Sequence, residues 1–155
     1  MGTRASIAVM VKPQDMGKDI VPNIELLGKT TETNIQTTHI DVSTKFISIF
    51  HNWDGHPYSL GKTLLEDFNS YEKALNLMSF GNASSINGEV AVFYHSDFYG
   101  KYGFWEQTKP LQFNNETQLG CKCYLEYSEY NYLFKDGKWY ENGKELEKII
   151  NNIKQ

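Results

Sequence analysis

The sequence predicts an α+β fold, with one domain spanning residues 1–155. An antiparallel-rich sheet carries two short helices after a Trp-Asp-Gly turn and ends in a C-terminal amphipathic helix. Three observations predict it. Apolar runs of strand length, Phe46-Ile-Ser-Ile-Phe50 and Val90-Ala-Val-Phe-Tyr-His95, are bounded by turn residues. Asp136-Gly137 stands between Tyr132-Leu-Phe and Lys138-Trp-Tyr, the pattern of a tight hairpin. Leu146, Ile149, Ile150 and Ile153 recur at helical spacing. A chain of 155 residues is long enough for one core and short for two.

Each element follows in order. Residues 6–11 alternate and branch like a first strand, which Lys12-Pro13 ends. Residues 13–38 are poorly periodic and rich in Thr, Asn, Gly and Pro, with one apolar island at Ile24-Glu-Leu-Leu27. They read as a hairpin excursion or a long loop. Residues 40–51 form the next strand region, apolar on both faces and therefore central in a sheet. A Gly/Pro turn over 53–61 leads into a helix from about Ser59 to Phe68. Asn69, with Glu72 three residues later, caps a second helix whose stripe is Leu75, Leu77 and Met78, and Gly81 stops it. Beyond it, 90–95 is a strong strand and 100–105 a looser aromatic one. Residues 122–129 and 130–134 are further strand candidates with alternating Tyr. Asn142-Gly143 turns the chain into the last helix, 144–153.

Composition narrows the function. A net charge of −4 argues against general nucleic-acid binding, which neutralised phosphates drive. No apolar run reaches the roughly 20 residues that span a bilayer. The N-terminus lacks the basic-then-apolar layout of a secretory signal, so a cytoplasmic setting is expected. Cys121 and Cys123, two apart on an expected strand, share a face as ordinary thiols. Of 15 Lys and Arg residues one alone is arginine, Arg4, whose planar fork makes bidentate contacts that lysine cannot.

The chemistry-bearing residues concentrate in His51-Asn-Trp-Asp-Gly-His-Pro-Tyr-Ser-Leu-Gly-Lys62, a strand turning into a helix. A ligand pocket there would use Arg4, Trp53, Asp54, Tyr58 and Lys62. Trp53 and Tyr58 would stack on a base, and Arg4 and Lys62 would offer charge beside a helix N-terminus. Gly61-Lys62-Thr63 echoes the end of a phosphate loop, but its first glycine is replaced by His56, so that motif fails on spacing. A second option places zinc, manganese or iron on His51, Asp54, His56 and His95. No other cofactor is called for. Ser59, Cys121 and Cys123 are the candidate nucleophiles, yet no G-x-S-x-G frame surrounds them. Tyr94, Tyr99, Tyr102, Phe104 and Trp105, with Gly100 and Gly103, read as a recognition loop or as half-buried strand residues.

Met1-Gly-Thr-Arg4, Trp53-Asp54-Gly55, Pro57, Gly61-Lys62 and the tail Tyr130-Asn-Tyr-Leu-Phe…Gly137-Lys-Trp-Tyr140 resemble a family of small phage and prophage proteins. Looser relatives of that family occur in bacterial and fungal genomes. The resemblance implies a setting inside a bacterial host and brings no activity with it. Position 56 in that pattern is usually tyrosine and position 51 varies, so a metal cage on His51 and His56 would be peculiar to this chain. Arg4, Trp53 and Asp54 belong to the shared pattern, which suggests Arg4 paired with Asp54 over a packed Trp53.

The expected function is a non-enzymatic counter-defence binder that inhibits a host immune protein or sequesters a nucleotide signal. A small hydrolase of phosphorylated or nucleotide substrates, with His51, Asp54, His56 and His95 as acid–base or metal groups, and a structural assembly partner are the alternatives. Partners would be a host defence protein or a small nucleotide-type ligand, not a membrane, and self-association is compatible with the sequence.

Overall fold

A computed structural model describes residues 3–33, 35–94 and 108–153. Strand β1 (Ala5–Met10) lies between β5 (Phe46–His51), antiparallel to it, and β9 (Tyr130–Lys135), parallel to it. The nine-stranded sheet adds β10 (Lys138–Glu141) and β11 (Lys144–Glu145) beyond β9. On the other side it adds β6 (Ala83–Ile86), β7 (Val90–Phe93) and β3 (Thr30–Glu32). The second neighbour of β5 changes along its length: β8 (Leu111–Phe113) pairs with residues 46–48, and Ala83 of β6 meets His51. The architecture is α+β, and most pairings are antiparallel.

Alternation along these strands divides the residues between two faces. Ala5, Ile7 and Val9 join Ile47 and Ile49, with Tyr132 and Phe134, in the main core. Helices α2 (Lys62–Asp67), α3 (Tyr71–Ser79) and α5 (Leu146–Ile153) cover this face with Leu64, Leu77, Met78, Leu146 and Ile150. Trp139 is buried here, its ring edge-on to Phe134 and its Nε1 donating to the Phe68 carbonyl at 3.0 Å. The opposite face carries Ser6, Ala8, Phe46, Ser48, Asn131 and Leu133. Helix α4 (Glu116–Leu125) packs there through Leu119 and Cys123.

The expected Asp136-Gly137 hairpin forms, and Asn142-Gly143, expected to lead straight into a helix over 144–153, instead makes a second hairpin from β10 to β11 before the helix starts at Leu146. Asp136 and Gly137 have φ of 50° and 80°, and Asn142 and Gly143 have φ of 46° and 84°. Positive φ at both central residues is the twist-matched turn that Asp-Gly and Asn-Gly favour.

Four further expectations are corrected. No strand forms over 122–129, whose first half belongs to helix: α4 starts at the cap Asn115, whose Oδ1 accepts from Gln118 N while Gln118 Oε1 accepts from Asn114 N, both at 2.9 Å. Cys121 and Cys123 therefore diverge, one exposed and one buried, since helix positions two apart lie on different faces. Ser70, not Asn69, caps α3, accepting from Lys73 N. Only 46–51 of the 40–51 region is strand.

Residues 13–38 hold a 3-10 turn (Pro13–Asp15), strand β2 (Asp19–Ile20), helix α1 (Ile24–Leu27) and β3. β2 pairs with β4 (Thr38–His39) in a separate ribbon. The excursion is anchored to the body by Asn76, which exchanges two hydrogen bonds with the Asn23 backbone, and by the Lys29–Asp67 ion pair. The strand read over 90–95 is observed as Val90–Phe93. The expectations for 100–105 and for most of the aromatic stretch fall outside the described residues. Among the described residues no helix is long and apolar enough to cross a membrane.

Candidate functional site

The strand–turn–helix corner grows out of the end of β5. Asn52 N and Trp53 N donate to the carbonyls of Ala83 and Ser84, carrying the chain past the sheet. Asp54 then takes φ of 57°, the left-handed turn conformation that aspartate tolerates. Gly55 follows, pressed against the first strand: its N donates to Thr3 O at 2.8 Å, and its carbonyl accepts from the buried Tyr132 hydroxyl at 2.6 Å. Ser59 Oγ donates to Asp54 O at 2.6 Å and closes the loop. Pro57–Gly61 is a wide π-type turn that runs without a break into α2.

This approach requires glycine at position 55. A Cβ there would lie 2.7 Å from Ala5 Cβ and 2.8 Å from Thr3 O, both in fixed backbone or a strand methyl. Gly55→Ala is expected to cost about 1–3 kcal/mol, the range for overpacking a tight site. The urea midpoint should fall with an unchanged slope. Gly88→Ala, whose added methyl meets nothing, is the matched control and should stay within about 0.5 kcal/mol of the parent.

The corner turns its aromatic groups outward. Trp53 is 47% exposed and Tyr58 51% exposed, with Lys62 Nζ 5.9 Å from the Tyr58 ring centre. The helix start holds few vacant donors, because Tyr58 N binds His56 Nδ1, Ser59 N and Gly61 N bind His56 O, and Lys62 N binds Pro57 O and Ser59 O. An anion arriving there would have to compete with bonds internal to the turn. Arg4 is half-buried beside the corner, and its carbonyl accepts from Glu129 N and Tyr130 N. The ion pairs among the described residues do not join Arg4 to Asp54.

The histidines face apart. His51 is wholly buried in the core, its Nε2 accepting from Ile86 N at 3.0 Å, and burial lowers its pKa to about 3. Asp54 and His56 are exposed, and His56 lies edge-on to Tyr130. His95 lies outside the described residues. Among the described residues no three His, Cys, Asp or Glu side chains are grouped to hold a metal ion. Ser59 serves as the loop's staple, and burial pushes the Cys123 thiol up, away from the thiolate that a nucleophile needs.

Sequence reasoning missed a polar cluster under α4. Lys122 Nζ donates to Ser48 Oγ at 2.8 Å and to Ser6 Oγ at 3.2 Å, and pairs with Glu126 Oε1 at 2.8 Å. Ser48 Oγ donates in turn to Ile7 O. Lys122 and Glu126 stand four apart, an ion-pair spacing that helix α4 makes visible and a strand reading conceals.

No protein-family model, curated protein or solved structure matches this chain.

Proposed function

We propose that this chain is a non-enzymatic binding protein of the phage-accessory type, which inhibits a host defence protein by docking its corner onto it. The observation that carries the reading is a rigid backbone bearing outward aromatics. Trp53 and Tyr58 stand about half exposed on a loop fixed to Thr3, Tyr132 and Ser59. Tryptophan and tyrosine dominate the energetic centres of protein interfaces, and a pre-fixed loop loses little entropy on docking. Lys62 beside Tyr58 adds a cation to the same surface. One feature favours a protein partner at this corner over a nucleotide: its turn amides are already bonded. The phage-family resemblance supplies the host setting.

Phage growth on a host carrying an active defence system tests the reading. Expression of the parent chain should restore plaque formation, and the chain should co-elute with one host defence protein at fixed stoichiometry. Trp53→Ala and Tyr58→Ala should each weaken that complex by about 30-fold, the loss of one interface anchor. Their circular dichroism should match the parent's. Full protection by both variants, or catalytic turnover of a nucleotide by the purified protein, overturns it.

A further inference from the structure

A groove of about 440 Å³ opens between α4 and strands β1 and β9, on the sheet face opposite the main core. Its floor is apolar, from Ala8, Leu119 and Leu133, and Tyr124 stands at its rim, 81% exposed. Two side chains that line it, Ser128 and Asn131, carry buried oxygens with no hydrogen-bond partner. Unpaired buried polar atoms are costly, so two beside one groove call for an explanation.

The polarity of this groove is set by a chain of bonds that runs one way. Glu141 Oε2 accepts from Asn131 N at 3.1 Å and also from Asn142 Nδ2. Asn142 must therefore present its oxygen to Asn131, and Asn142 Oδ1 accepts from Asn131 Nδ2 at 3.0 Å. The unused atom of Asn131 is thus its oxygen, an acceptor. No lysine or arginine is among the described residues that line the groove, and Glu116 at its edge is 3.8 Å from Lys135 Nζ. A phosphate would find no lining cation here and would bring only acceptors to the Asn131 oxygen, with the Ser128 hydroxyl able to donate to it.

We infer that this groove binds a small uncharged planar molecule bearing N–H donors, of nucleobase or nucleoside size, stacked near Tyr124 and hydrogen-bonded to Asn131 and Ser128. The volume lies within the range of small-molecule pockets, and an apolar floor with few polar points is their usual composition. Both oxygens are covered from solvent, so ligand binding requires each side chain to turn toward the groove. The site is separate from the corner and stands independently of the docking reading.

Titration of the whole 155-residue chain with adenosine, guanosine, cytidine and uridine, followed by amide NMR, tests the inference. At least one nucleoside should saturate below about 1 mM, with shifts at Gly120, Ser128, Asn131 and Asn142. A Cβ at Gly120 meets nothing within 4 Å, so Gly120→Leu should fill the groove and remove binding. It should hold or raise the melting temperature, because leucine favours helix over glycine. Asn131→Leu should weaken binding at least about tenfold, the loss of one buried acceptor. Trp53→Ala should leave the affinity unchanged. The inference fails if no nucleoside saturates, if Gly120→Leu binds like the parent, if Trp53→Ala loses binding, or if the 5′-monophosphate binds about tenfold tighter than its nucleoside.

Discussion

Acidification from pH 6.5 to about 3 is expected to remove on the order of 4–5 kcal/mol of stability through His51 alone. Its ring is sealed at the end of β5, and Nε2 accepts from Ile86 N, so a proton there would break that bond and place a charge in the core. Burial lowers the folded pKa to about 3 from 6.5, so between these values the folded state holds fewer protons than the unfolded chain. Stability therefore rises with pH through that window, is complete above it, and is lost as pH falls through it. Glu126 and Glu141 titrate in the opposite sense, because burial raises their carboxyls and acid favours their folded forms. His51→Gln isolates the histidine, since its amide oxygen can still accept from Ile86 N. Unfolding free energies from urea titrations across the window should fall several kcal/mol further for the parent than for this variant. Parallel curves would refute the assignment.

Lys122→Ala is expected to cost about 3–5 kcal/mol, the penalty for leaving a buried partner unpaired. Glu126 would keep a carboxylate under α4 with no cation, and Ser6 and Ser48 would lose their shared donor. The double variant Lys122→Met/Glu126→Gln removes both charges and should recover most of the loss. Burial holds the Glu126 carboxyl above the usual range against the pull of Lys122. Without the lysine it should rise further, so the deficit of Lys122→Ala should shrink as the pH falls and the acid takes a proton. A single-variant cost under about 1 kcal/mol, with no recovery in the double, would show the pair to be incidental.

The sequence made the corner, the Asp136-Gly137 hairpin and the Asn142-Gly143 turn legible because their signals are local, while the short strand after that turn was read as helix. Gly55, Pro57, Asp136-Gly137 and Asn142-Gly143 dictate backbone torsions from one or two residues. Helix α4 was hidden by the β-propensity of Cys123, Tyr124 and Tyr127, although Asn115 and Gln118 form a cap and Leu119 and Cys123 stand four apart. The Lys122 cluster could not be read at all. Ser6 and Ser48 lie 116 and 74 residues from Lys122, and only the β1–β5 pairing brings them together. His51 looked like a ligand because its burial depends on β6, which meets it from Ala83 onward. Trp53 was expected beneath the loop, but the left-handed turn at Asp54 leaves it about half exposed.

The position of β1 has a consequence for how the molecule is born. Its parallel neighbour β9 begins at Tyr130, paired with Ala5, so the centre of the sheet joins residues 125 positions apart. Such closures are slow, because chain entropy must be lost before the contact contributes. On the ribosome, β1 can zip to β5 as soon as His51 emerges, but its other edge stays bare until residues 130–135 are made. Throughout that interval the nascent chain displays an apolar, unpaired strand edge, the form most prone to joining its neighbours. Synthesis rate and chaperone supply should therefore govern the yield of this protein more than the stability of its finished fold.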